Sequence, residues 1–164
     1  MLEVRCAALE DLPALARIMV GSFRSGFAHI VTAETMDRCT VPENIEAMLR
    51  GVLQSGQVHA LIGLADGVPC GELFWAAGEG PGTAEIIALH SLPQSWGSGL
   101  GKALLDAALA AMRAEGCRQV TLWAFEENRR GRRFYEKHGL TCSGERRISE
   151  FDGAPELCYG KTLD

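Results

Sequence analysis

Residues 94 to 102 read Gln-Ser-Trp-Gly-Ser-Gly-Leu-Gly-Lys, with glycines at 97, 99 and 101. Glycine lets a backbone turn tightly and lets peptide N–H groups approach a ligand with no Cβ in the way. A long segment of helical periodicity follows at once, so the loop opens a helix whose first amides lack partners and carry a partial positive charge. That combination suits a pyrophosphate. The spacing argues against two common nucleotide loops. In a G-x-G-x-x-G pattern begun at Gly97, the third glycine falls on Lys102; a G-x-x-x-x-G-K-[ST] loop would need glycine at Trp96 and a hydroxyl at Ala103. A Gly-rich turn without a ligand is the competing reading.

Three further side chains have the right chemistry for proton transfer. Glu85 is a carboxylate on the strand before the loop, alternatively an exposed strand residue or half of an ion pair. His90, on the same strand, has an imidazole that titrates near neutrality, or is a satisfied core histidine. Tyr135 carries a phenol that donates a hydrogen bond at neutral pH and can return a proton, or simply packs beside Phe134. Arg129, Arg130, Arg132 and Arg133 form the most basic run, read either as a solvated helix face or as a phosphate contact. Trp75, Trp123 and Phe125 fall within strands, where core packing is the expectation.

The elements that hold these groups follow from periodicity. Leu2 to Ala7 alternates as a first strand, and Glu10-Asp11 starts a helix with Leu12, Leu15, Ala16 and Met19 at helical spacing. Residues 21 to 42 predict loop and short helix, and Pro42-Glu43 opens a helix to about Leu53. Val58 to Ala65 and Val68 to Ala76 are strands joined by Asp66-Gly67, a hairpin signal. A loop over 78–82 leads to the apolar strand Ala84 to Leu92. After the glycine loop, Leu100, Leu104, Leu105, Ala108, Leu109 and Met112 stripe one long helix, ended by Gly116. Val120 to Phe125 is a strand and Arg130 to His138 a short helix. Two last strands, Leu140 to Glu150 and Glu156 to Leu163, turn at Asp152-Gly153.

Two segments carry a resemblance. Ala84 to Leu105, AEIIALHSLPQSWGSGLGKALL, resembles the acetyl-CoA-binding segment of the GNAT superfamily of N-acetyltransferases, a strand, a Pro-containing bend, Q/R-x-x-G-x-G/A and a helix. Asn128 to Leu140, NRRGRRFYEKHGL, resembles the family's N-x-R-A-x-x-F-Y-E-K-x-G-F segment. Their order, joined by one strand, is more specific than either alone. Aligned on the helix, the family's Gln or Arg falls on Trp96; aligned on Gln94, a nominal Q-x-x-G-x-G is recovered with the loop two residues from the helix start.

The resemblance implies an α/β fold: a single mixed, mostly antiparallel sheet of about seven strands with helices on both faces, one domain over residues 1–164. It implies acetyl transfer from acetyl-CoA to a primary amine of a small molecule or peptide, with no metal. The backbone of Gly97, Ser98, Gly99, Leu100, Gly101 and Lys102 would hold the pyrophosphate, and the arginine run would meet the 3′-phosphate. Leu89 and Ser91 would pair with the pantetheine arm, and Asn128 would bond it from the far side. Tyr135 falls where the family places a tyrosine beside the sulfur, as general acid. Glu85 stands where members often carry a catalytic glutamate, with His90 the other candidate base. Alkyl ammonium groups have a pKa of about 10, so a base is needed to free the nucleophile. His29, Glu34 and Asp37 could instead grip the amine. A non-catalytic acyl-CoA-binding regulatory domain is the alternative.

Composition sets the remaining bounds. The 164 residues carry a formal net charge of −5, which disfavours a nucleic-acid binder. The six cysteines are scattered with no metal-ligand spacing and read as reduced thiols. The N-terminal stretch does not read as a signal peptide and no apolar run approaches a membrane span, so a cytoplasmic protein is expected, with a homodimer possible.

Overall fold

The computed structural model describes residues 1–150 and 153–164. Seven strands form one sheet: β1 (Leu2–Cys6), β2 (Val58–Ala65), β3 (Val68–Ala77), β4 (Thr83–Ser91), β5 (Gln119–Phe125), β6 (Thr141–Ile148) and β7 (Pro155–Thr162). Their spatial order is β1-β2-β3-β4-β5-β7-β6. Every neighbouring pair is antiparallel except β4 and β5. The mixed, mostly antiparallel sheet matches the expectation, and the predicted Asp152-Gly153 turn lies partly outside the described residues.

Among the described residues, five α-helices flank the sheet. On one face, α1 (Leu12–Gly26) and α3 (Pro42–Gln54) bury Leu12, Leu15, Met19, Ile45 and Leu49 against Ile62, Leu64 and Phe74. On the other, α4 (Leu100–Ala114) buries its predicted stripe against Leu73, Trp75, Ile86 and Leu122. The short α2 (Ala33–Cys39) and α5 (Arg129–Lys137) complete the set. The predicted loop over 21–42 is shorter than expected: α1 runs on to Gly26, because Ile18, Met19 and Ser22 continue its buried stripe. The Asp66-Gly67 hairpin forms as predicted, with both residues left-handed at φ 50° and 79°. Asp11 joins β1 to α1, its carboxylate accepting two hydrogen bonds from Arg5 at 2.8 Å and one from the Ala8 amide.

Two glycines set how closely α4 approaches the sheet. Gly63 and Gly71 are paired across β2 and β3, directly beneath the start of α4. A Cβ on Gly63 would stand 2.9 Å from Leu100, and one on Gly71 would stand 2.9 Å from both Leu100 and Leu104. Bare backbone there lets the first turn of α4, and the loop before it, sit against the strands.

β4 is continuous on its β3 side but not on its β5 side. Its register against β3 jumps, with Trp75 facing Ile86 and Phe74 facing Ala88, so Ile87 is an extra residue, a bulge. Against β5 only Thr83 to Ile86 are paired. Beyond that point the two parallel strands part, and a gap opens in the middle of the sheet.

Candidate functional site

The gap is a cleft of about 290 Å³ whose walls come from both faces of the sheet. Leu89, His90 and Ser91 of β4 form its floor, Ser22 and Phe27 of the α1 end one wall, and the start of α4 with α5 the other.

At one end lies the glycine loop. Gly97 and Gly99 are left-handed, at φ 76° and 92°, and Gly99 caps α4. The amides of Ser98 and Leu100 are taken, bonding Ser95 and the Ser98 hydroxyl. Those of Gly97, Gly99, Gly101 and Lys102 have no partner among the described residues, and all four residues line the cleft. Four free amides at a helix start make a concave anion site. Of the six loop residues assigned to pyrophosphate, these four line the cleft with unpartnered amides; Ser98 and Leu100 sit in the loop without offering a free amide. Leu100 is instead a fully buried core residue. Lys102 (paired with Asp106), Arg130 and Lys137 add positive charge along the same wall, where His138 also lies. Burial, then the neighbouring Lys137 and Lys102, lower the His138 pKa.

Trp96 spans the cleft mouth. Its indole N–H donates to the Ser91 carbonyl at 3.1 Å, and the Arg130 guanidinium stacks 3.5 Å from its ring centroid. Desolvation lowers the Arg130 pKa, with the guanidinium still charged at neutral pH. The Ser91 carbonyl is therefore engaged by the chain itself. The arginine run divides: Arg130 lines the cleft, while Arg132 bonds the Tyr159 hydroxyl and the Glu126 carbonyl, both at 2.9 Å, and is structural.

Asn128 caps α5, its Oδ1 accepting from the Gly131 amide at 3.1 Å, which leaves its Nδ2 as the available donor. A Cβ at 131 would come within 2.4 Å of that nitrogen, so glycine keeps the Asn128 side chain in place. Tyr135 lines the cleft from α5, and burial pushes its phenol up to about 12. It stays protonated at any pH near neutral.

The other end is aromatic. Phe27 packs edge-on to Phe23 at 4.9 Å and to Phe125 at 5.1 Å, and both Phe23 and Phe27 face the His90 ring. Phe125 and Trp123 are thus not core residues as expected. Phe125 is half-buried against Phe27, and Trp123 lies only half-buried under Arg147, at 4.2 Å. Trp75 is buried as predicted.

His90 is buried at the cleft floor and Glu85 is not brought to the cleft. Glu85 sits before the bulge, where β4 is still joined to Thr121 of β5. His29, Glu34 and Asp37 are exposed and do not line the cleft. Two groups escaped the sequence reading. The Ser22 hydroxyl, buried on the cleft wall, has no partner. Glu72, fully buried in β3, faces His90 with Oε1 3.0 Å from Nδ1. A single carboxylate inside the apolar run Val68 to Ala77 was the visible signal.

A family model described as the acetyltransferase (GNAT) family matches residues 15–140. A mycothiol acetyltransferase of Beutenbergia cavernae is 42% identical over 68 residues, 42% of this chain and 23% of that protein. The chain thus spans about a quarter of that relative's length. An uncharacterized N-acetyltransferase of Archaeoglobus fulgidus is 25% identical over 144 residues, 85% of this chain and 92% of its own. Among solved structures, the PaiA N-acetyltransferase of Thermoplasma acidophilum in complex with coenzyme A superposes with a TM-score of 0.79 at 23% identity, covering 99% of both chains. No helix among the described residues is long and apolar enough to cross a membrane.

Proposed function

This chain belongs to the GNAT acetyltransferase family, and we propose that it moves the acetyl group of acetyl-CoA to a primary amine of a small molecule or peptide. The observation that supports this best is the cleft itself: free amides at one end, and a histidine and a phenol farther along, reached through a gap in the sheet.

The residues fit the donor. The amides of Gly97, Gly99, Gly101 and Lys102 hold the pyrophosphate, with Lys102 and Arg130 adding charge. The edge of β4 freed beyond Ile87 offers backbone groups at Leu89 to the pantetheine arm, and Asn128 donates Nδ2 from the opposite wall. Acetyl-CoA supplies an activated thioester; the chain supplies position and proton transfer. His90 accepts the proton of the attacking amine, since it lies on the cleft floor and Glu85 does not. Tyr135, held protonated by its burial, gives its proton to the departing thiolate. Direct attack within one complex needs no covalent enzyme intermediate.

The test is calorimetric titration with acetyl-CoA, with NAD and ATP as controls, followed by thiol release across a panel of amines. Saturable binding of acetyl-CoA alone, with amine-dependent release of coenzyme A, is the expected result. Binding without release from any amine would favour the non-catalytic acyl-CoA-binding reading. Binding of NAD or ATP in its place would overturn the assignment.

A further inference from the structure

A carboxylate in the middle of a sheet is costly unless it is paired, and Glu72 is only half paired. It is 0% exposed, its Oε1 meets His90, and its Oε2 has no partner. Its cross-strand neighbours are Ile62 on β2 and His90 on β4. An apolar residue there would spare the fold an orphaned oxygen. The pairing is therefore better explained by what it does to His90 than by stability.

We propose that Glu72 is a positioning residue for acetyl transfer: it accepts a hydrogen bond from Nδ1–H of His90 and so fixes the tautomer whose Nε2 is a free lone pair in the cleft. This rests on the reading of His90 as the base. The ring has little freedom otherwise. Phe23 and Phe27 flank it edge-on, at 5.6 and 6.5 Å between centroids, and offer it no polar partner. Nε2 has no bond to any described residue and is not among the buried polar atoms without a partner, so it reaches the cleft space. One nitrogen anchored and the other free is the arrangement in which a histidine acts as a directed base.

Glu72 also acts by charge. An anion 3.0 Å from the ring stabilises the imidazolium formed when His90 takes the proton of the amine. The side chains packed on the ring from α1, Phe23, Phe27 and the nearby Ser22, are uncharged. The cleft's cationic groups, Lys102, Arg130 and Lys137, stand on α4 and α5, as do the neutral Tyr135 and, at the end of α5, His138. Burial raises the Glu72 pKa, and the hydrogen bond from His90 opposes that rise.

The experiment compares wild type, E72Q and H90Q in the full chain. Gln keeps the size of Glu and can still accept from Nδ1–H, so E72Q folds, which its thermal midpoint checks. The first readout is kcat against pH with both substrates saturating. Without the carboxylate, protonation of His90 is less favourable, and the acid limb of kcat moves to lower pH by about one unit. H90Q loses about 100-fold in kcat and the limb itself. A limb that stays in place in E72Q, but vanishes in H90Q, overturns the role of Glu72 and leaves the base standing. A limb and rate unchanged in H90Q overturn both. The second readout needs no turnover: nitrogen chemical shifts of His90 in wild type give Nδ1 protonated and Nε2 bare. A dominant Nε2–H form overturns the proposal outright.

Discussion

β4 behaves differently on the two sides of Ile87. Before it, Ala84 and Ile86 are buried against α4, and the strand is hydrogen-bonded on both edges. After it, the strand keeps β3 and loses β5, and its residues become the floor of a cleft. The joined half follows the ordinary rules of a core, apolar packing with satisfied backbone. The parted half breaks them in several places: free amides at the glycine loop, an orphaned carboxylate oxygen on Glu72, and a hydroxyl without a partner on Ser22. Unmet polar groups gathered on one side of a single bulge mark where stability has been given up for ligand contact.

If that division is sound, substitutions should sort into two kinds. The largest effect is expected from Ile86→Ala, in the joined half. Ile86 is buried, and its loss should lower the free energy of unfolding by about 2–5 kcal/mol, read by urea denaturation, with kcat per folded molecule unchanged. A fall in kcat at full folding would break the comparison. Next comes Tyr135→Phe, in the parted half. It should lower kcat about 100-fold while the thermal midpoint and acetyl-CoA affinity stay close to wild type. Weaker binding with kcat intact would make Tyr135 a wall and not an acid. The smallest effect is expected at Trp96→Ala. It removes the ring under Arg130, and at about 0.5–1 kcal/mol for a partly exposed cation–π contact it should weaken acetyl-CoA binding about 2–5-fold in calorimetry. Tighter binding would mean that Trp96 and Arg130 obstruct the mouth instead of framing it.

The same division explains what could be read from the sequence. The glycine loop, the α4 stripe and the Asp66-Gly67 turn are local patterns, and each appears where expected. The parting of β4 from β5 is not local. It depends on a one-residue bulge against β3, and alternation along Ala84 to Leu92 carries no mark of that slip. Trp123 and Phe125 lie outside the core for a related reason. Period-two alternation says that a strand has two faces but not which one a helix covers. Glu72 and His90 lie 18 residues apart, and only the β3–β4 register places them together. Asn128 was legible as a cleft residue; that half of its amide is spent on capping α5 follows from helix geometry alone.

The cleft is lined from both of the layers that flank the sheet. The free amides lie toward the α4 and α5 layer, the aromatic residues and His90 toward α1. Under the proposed function, donor and acceptor would approach from opposite sides of the sheet and meet only at their reacting atoms, so the α1 side could change for a new acceptor while the donor's seat stays as it is.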